Sequence, residues 1–232
     1  MTKEIDPHKY PKHASDEVKN TRDYRTWIFD GVYRNFAWRM EGRNQESRSG
    51  PGSELGYTKN LREKLPLMFS QFGINSMLDA PCGDMNWMIE VLKECPIEYT
   101  GGDIVSEMIQ DNKDKYPEYK FLELDVVEDE LPYADLFFCR DLFFHLHNDI
   151  CLKIIENYLR SEIPYICLTT NKNILHRSAS NIYVNCGEFR LIDIFEEPFN
   201  FPKEVLYTID DTPEGSRYPA KDMVLLRREQ LL

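Results

Sequence analysis

No stretch of the sequence approaches the ~20 consecutive apolar residues that a membrane-crossing helix needs, so none is expected. The first 17 residues, MTKEIDPHKYPKHASDE, are polar and hold no apolar core, so a secretory leader is not expected there. Neither repeats nor low-complexity tracts occur. The six cysteines (Cys82, Cys95, Cys139, Cys151, Cys167, Cys186) never form C-x-x-C and never cluster with histidine at zinc spacing. Four of them, Cys82, Cys139, Cys151 and Cys167, sit in or beside apolar stretches, a pattern of reduced, buried thiols in a cytoplasmic protein. Positive charge is scarce: 28 Lys+Arg face 40 Asp+Glu, and the net −12 repels phosphate backbones and argues against a nucleic-acid partner. The deficit is uneven. Residues 1–60 carry 11 basic and 9 acidic side chains and residues 61–232 carry 17 and 31, so an anionic partner should meet the first quarter of the chain.

What is present reads as one α/β unit. A chain of 232 residues can bury a full core without staples. Short apolar runs at Ile74–Asp79, Tyr99–Ile104, Phe121–Leu124, Ala134–Cys139, Pro164–Thr169, Val205–Ile209 and Met223–Leu226 read as strands. Helical patterns at Thr58–Phe72, Asn86–Leu92, Ser106–Lys115 and Asp149–Arg160 separate the early ones, Ser106 serving as a cap. This alternation predicts a parallel sheet covered on both faces, with a late antiparallel hairpin. Residues 1–20 read as loosely attached. Farther on, Tyr24, Trp27, Tyr33, Phe36 and Trp38 recur at three- to four-residue steps, predicting short amphipathic helices interrupted by Gly31.

In a doubly wound sheet a ligand sits beyond the carboxyl ends of the strands. After the first strand comes Asp79-Ala80-Pro81-Cys82-Gly83-Asp84. A dinucleotide-binding turn would be G-x-G-x-x-G; here Gly83 alone survives, with Pro81 in place of the first glycine. Asp79 and Asp84 would repel a pyrophosphate and suit a ligand with a cationic amino group, although a plain β–α turn also accounts for Gly83. After the second strand, Asp103 lies 20 residues beyond Gly83, where a carboxylate can accept both ribose hydroxyls; a helix-capping role is the plainer alternative. After the third, Asp125 can take an adenine amino hydrogen while Val126 packs on the ring, or it is a solvated turn residue. After the fourth come Arg140, Asp141 and His145. Asp141 and His145 are four apart and share a face if the turn is helical, which gives a neutral histidine oriented by a carboxylate as a general base. His145 could equally pack beneath the loop. A metal site from Asp141, His145 and His147 fits poorly, because the histidines at i,i+2 do not share a helix face, and no metal is expected.

Taken together, LDAPCGD (78–84), YTGGDI (99–104), LELDVVED (122–129) and ADLFFCRDLFFHL (134–146) resemble class I S-adenosylmethionine-dependent methyltransferases. The likeness is to a bacterial branch with an S-x-S-G-x-G-S segment, here Ser47–Ser53, a D-A-P-C-G-D turn, here Asp79–Asp84, and a C-R-D-x-x-x-H-L loop, here Cys139–Leu146. Gly187–Asp193 and Pro198–Pro202 also look like that branch. Two positions depart from the family turn: Pro81 replaces its first glycine and Met85 its last.

The resemblance implies a Rossmann-like, doubly wound, seven-stranded sheet with the last strand antiparallel. It also implies S-adenosyl-L-methionine as cofactor. Asp79 and Gly83, with Pro81 and Cys82 between them, would border its methionine part, Asp103 and Ile104 the ribose, Asp125 and Val126 the adenine. Arg140 would lie beside the cofactor, and Arg48, a cation ahead of the fold, would hold the methionine carboxylate. Residues 47–232 would be the methyltransferase domain and residues 1–46 a helical lid. The segment Thr21–Arg48 sets Arg22, Arg25, Arg34, Arg39, Arg43 and Arg48 among its aromatics. Such a lid suits sugar rings and phosphate or carboxylate groups, unless its arginines only face solvent. The expected reaction is methyl transfer to an oxygen of a small polar acceptor, sugar-like or phosphorylated, as in surface-glycan modification, with His145 as base and Asp141 as its orienter or a substrate ligand. The alternatives are a non-catalytic cofactor-binding regulatory module and an NAD(P)-dependent oxidoreductase, which wants the missing glycines.

Overall fold

The computed structural model describes residues 14–35, 37–38, 46–172, 180–216 and 218–232. The expected contributions of Phe36, Arg39 and Arg43 lie outside the described residues. Seven strands, β1 (Ser76–Asp79), β2 (Glu98–Asp103), β3 (Lys120–Glu123), β4 (Leu136–Cys139), β5 (Tyr165–Asn171), β6 (Tyr207–Asp210) and β7 (Lys221–Arg227), form one sheet in the order β3-β2-β1-β4-β5-β7-β6. The first five pair in parallel. β7 alone runs antiparallel, against both β5 and β6, as the sequence led us to expect. Among the described residues, six α-helices accompany the sheet: α1 (Asp16–Lys19), α2 (Arg22–Arg34), α3 (Lys59–Phe72), α4 (Met88–Glu94), α5 (Ser106–Lys115) and α6 (Asn148–Arg160).

Each strand divides its side chains between two apolar layers, because successive residues point to opposite faces. Leu78, Phe137, Ile166 and Leu226 join one buried cluster with the α6 residues Ile150, Ile154 and Tyr158. Their neighbours Met77, Phe138, Cys167 and Leu225 join a second one with Leu61, Leu65 and Met68 of α3 and Val91 of α4. A sheet buried on both sides is the situation that favours parallel pairing. All six cysteines are free, and all but Cys95 are buried.

Two local expectations are corrected. Gly31 does not interrupt the N-terminal helix: α2 runs unbroken to Arg34, its start capped by the Thr21 hydroxyl, which accepts from the Tyr24 amide at 3.3 Å. Tyr24, Phe29 and Tyr33 anchor α2 in the first core cluster, and that packing outweighs the propensity cost of one glycine. Ser106 does not cap α5; Val105 occupies the cap position, and the Ser106 hydroxyl donates to Glu123 instead, at 2.6 Å.

Parallel pairing brings the carboxyl ends of β1 to β4 to one edge, and the chain order reverses between β1 and β4. Asp79, Asp103, Asp125, Arg140 and Asp141 therefore gather at the crevice where this architecture binds ligands.

Candidate active site

The turn after β1 is built around a close approach. Gly83 has φ +55, and a Cβ there would lie 2.3 Å from the Ser49 hydroxyl, so only glycine fits without displacing Ser49. The Ser49 hydroxyl accepts from the Asp84 amide (3.2 Å), and the Asp84 carboxylate accepts from the Ser47 hydroxyl (2.9 Å) and the Arg48 amide (2.6 Å). The Ser47–Ser53 segment is thereby latched onto the turn. Met85, standing where the resembled family carries its last glycine, adopts the left-handed conformation at φ +62. The backbone path is kept at a strain of about 1–2 kcal/mol, while the buried Met85 side chain packs in the second core cluster.

Two adjoining cavities open at the sheet edge. The narrower, about 60 Å³, is lined by Asp103, Ile104, Asp125, Val126 and Leu142 beneath Arg25, Phe29 and Tyr33 of α2. Asp103 accepts from the amides of Gly83 (3.2 Å) and Val105 (3.0 Å). Burial lifts its pKa to about 6, partly offset by those amides. Asp125 is neither a solvated turn residue nor an unengaged acceptor. Its Oδ1 accepts from the Val127 amide (3.1 Å) and its Oδ2 from Arg25 Nη2 (2.5 Å), with both side chains 2% exposed. Arg25 also donates to Glu128 (2.7 Å) and to the Asn20 carbonyl (2.6 Å).

The larger cavity, about 480 Å³, is lined by Asp79, Pro81, Cys82 and Gly83 at the turn after β1. Asp79 accepts from the Tyr99 hydroxyl at 2.8 Å. Burial raises its carboxyl to about 7, against the opposing pull of Tyr99 and Arg140. The two cavities share Tyr33, Trp38, Pro81, Asp141 and His145 as a common wall. The three expected acids thus border one divided crevice, Asp79 on one side and Asp103 and Asp125 on the other.

Arg140, Asp141 and Lys221 of this lining form a charge quartet with Asp211, which is buried behind them. Arg140 donates from Nε and Nη2 to the two oxygens of Asp211 (2.8 and 3.1 Å) and from Nη2 to the Gly52 carbonyl (2.7 Å). Lys221 Nζ bonds both oxygens of Asp141, 2.6 Å from Oδ1, and lies 3.1 Å from Asp211. Burial works against the charge on Arg140, but Asp141 and Asp211 outweigh it and raise its pKa. Burial likewise works against the Asp141 carboxylate, and Arg140 and Lys221 outweigh it and lower its pKa.

His145 lies on the shared wall, stacked on Trp38 with ring centroids 4.9 Å apart and flanked edge-on by Phe144. Its Nδ1 is 2.9 Å from the Glu188 carbonyl. A carbonyl only accepts, so Nδ1 carries the proton and Nε2 keeps its lone pair. Burial lowers the pKa to about 4, and the ring is neutral at neutral pH.

Asp141 does not orient this ring. It has φ +59, and the helical turn covers only Phe143–His145, so its carboxylate turns to Lys221 and to the Thr169 hydroxyl (3.1 Å). The Glu188 carbonyl holds the imidazole instead. Arg48 also departs from expectation. Its guanidinium pairs with Asp111 (2.9 Å) and Glu107 (3.2 Å) on α5 and lines neither cavity, because α5 presents two carboxylates on its outer side. Arg140 lines the larger cavity with its guanidinium carbon over the Trp87 ring, 5.3 Å from the centroid. The residues missed from sequence are Arg25, Tyr57, Trp87, Asp211 and Lys221. Asp211 follows β6 and Lys221 opens β7, and their only signal was a pair of charges at the ends of apolar strands.

No family model and no curated protein matches this chain. Solved structures do. The chain is similar to a magnesium protoporphyrin IX methyltransferase from Synechocystis PCC 6803 with bound SAM: 14% identity, 94% of this chain and 100% of the other covered, TM-score 0.62. It is also similar to an S-adenosylmethionine-dependent methyltransferase from Clostridium acetobutylicum ATCC 824: 13% identity, 73% and 91% covered, TM-score 0.52. The likeness shows a shared Rossmann-like α/β fold.

Proposed function

We propose that the protein is an S-adenosylmethionine-dependent methyltransferase acting on an oxygen of a small, polar, ring-bearing acceptor such as a sugar, in the reducing compartment that six free thiols suit. Solved structures of this fold that are methyltransferases support the reading. The observation that carries it is the common wall: His145 borders both a crevice edged by acids and a larger cavity lined by aromatics.

The residues fit the cofactor. Gly83 keeps the turn open to close approach, Asp103 offers carboxylate oxygens for ribose, and Ile104 and Val126 offer apolar surface for adenine. Asp125 serves there through its pair with Arg25, and α2 with Tyr33 and Trp38 roofs the crevice as a lid. Asp79 meets the positive end of the ligand. Bound S-adenosylmethionine would supply an activated sulfonium methyl group. The protein would hold the acceptor hydroxyl in line with it, the largest contribution to rate. His145 Nε2 would take the hydroxyl proton as that proton turns acidic, a task within reach of a weak, unprotonated base. Arg140 and Lys221 fix the cavity floor.

The test is His145→Ala. S-adenosylhomocysteine release with an acceptor should fall by about 10²-fold or more, while cofactor affinity by calorimetry stays within a factor of ~2. Unchanged turnover, or lost cofactor affinity, rejects the role. Cofactor binding without turnover of any acceptor by the unaltered protein would instead mark a regulatory module.

A further inference from the structure

The larger cavity combines ring-shaped walls with a floor whose charges are already matched. Tyr57, Trp87, Phe144, Phe189 and Tyr218 line it, and such faces accept the apolar side of a ring. Among the described residues, its lining cations are Arg140 and Lys221. Asp211, 1% exposed, takes two hydrogen bonds from Arg140, and Asp141 takes Lys221 through both oxygens. Two positive charges therefore face two negative ones. Asp84, held by Ser47 and the Arg48 amide, adds a further carboxylate to the lining. A phosphate or carboxylate entering this space would have to strip a buried carboxylate from its partner or stand beside like charge, and both are unfavourable.

We propose that the acceptor is an uncharged ring compound carrying a hydroxyl, and that the Arg140–Asp141–Asp211–Lys221 quartet excludes its phosphorylated or carboxylated counterparts. The inference rests on the methyl-transfer reading above and narrows its acceptor. Arg140 and Lys221 act as specificity-determining residues by being neutralised: they shape the floor and offer neutral hydrogen-bonding surface, and they attract no anion. The ring lies against the aromatic walls, with its hydroxyl toward His145. A sugar ring and a phenolic ring share this chemistry.

The full chain, saturated with S-adenosylhomocysteine, is titrated by calorimetry and tryptophan fluorescence with two matched pairs of probes. One pair is glucose and glucose 6-phosphate; the other is catechol and 3,4-dihydroxybenzoate. The expected result is that a neutral probe binds at least about tenfold more tightly than its anionic counterpart, and the pair that responds tells sugar from phenol. Asp211→Asn, which uncovers part of the charge on Arg140, should narrow that preference about tenfold; the pairwise result for the unaltered protein stands even if this variant does not fold. Anionic probes that bind as tightly as the neutral ones, or neutral probes that fail to bind while S-adenosylhomocysteine does, overturn this inference alone. Failure of S-adenosylhomocysteine to bind overturns the methyl-transfer reading beneath it.

Discussion

Replacing Arg25 with methionine keeps much of the aliphatic stem's packing and removes one half of a buried ion pair. Arg25 and Asp125 lie 2.5 Å apart with 2% of each side chain exposed. The variant leaves Asp125 with the backbone amide of Val127 and a stranded charge. Breaking such a pair from one side costs about 3–5 kcal/mol. The contact to Glu128, whose side chain is 49% exposed, adds less than about 1 kcal/mol. The lost bond to the Asn20 carbonyl adds about 1 kcal/mol. Asp125→Asn in the Arg25→Met background removes the stranded charge and should recover a substantial part of the loss. Urea denaturation of the four proteins of this double-mutant cycle gives the coupling directly. A loss below about 1 kcal/mol for Arg25→Met, or a second substitution that adds its full cost instead of offsetting the first, would refute the view that α2 is latched to the carboxyl edge of the sheet through this pair.

Gly83→Ala places a Cβ 2.3 Å from the Ser49 hydroxyl at φ +55; strain of about 1–2 kcal/mol plus a lost hydrogen bond of ~1 kcal/mol should lower both the unfolding free energy and calorimetric cofactor affinity, and unchanged values for both would contradict the close-approach argument. Asp79 rises from 3.8 to about 7 in the folded chain, so it stabilises the fold fully below pH ~4 and loses that contribution as pH climbs through 7. Asp79→Asn should therefore look less harmful at pH 8 than at pH 5, by about 2.5 kcal/mol, in denaturation series at the two pH values; a gap that widens with pH would contradict the sign. His145 works the other way, its contribution being complete above pH ~6.5 and lost as pH falls toward 4. Ionising Asp79 around a cationic cofactor should release up to one proton per binding event below pH ~7, which calorimetry in buffers of different ionisation enthalpy would register; proton uptake would contradict it.

The sheet was legible because each strand carries its own apolar signal and each parallel crossover its own helix, so strands β1 to β7 fall within a few residues of their expected positions. The position of Asp79, Asp103 and Asp125 at the crevice was legible because in a parallel sheet the residues at or just past a strand's carboxyl end face it. Gly31 misled because propensity is local while Tyr24, Phe29 and Tyr33 bind α2 into the core. Arg25 was grouped with other arginines; nothing in the sequence tells the one that reaches a buried carboxylate 100 residues away from those that do not. Asp211 and Lys221 were invisible for the same reason: their partners, Arg140 and Asp141, follow β4, which β5 separates from Lys221 on β7 and β5 and β7 together separate from Asp211 after β6. The spacing of Asp141 and His145 suggested a shared face, but a left-handed residue and a short turn take the place of the helix that spacing assumes.

The most direct measurement is calorimetric titration of the protein with S-adenosylmethionine, repeated on Asp103→Ala. One molecule should bind per chain, and the variant should bind about 10- to 100-fold more weakly, the worth of hydrogen bonds to a carboxylate. No binding to the unaltered protein, or equal affinity in a folded variant, would contradict this expectation.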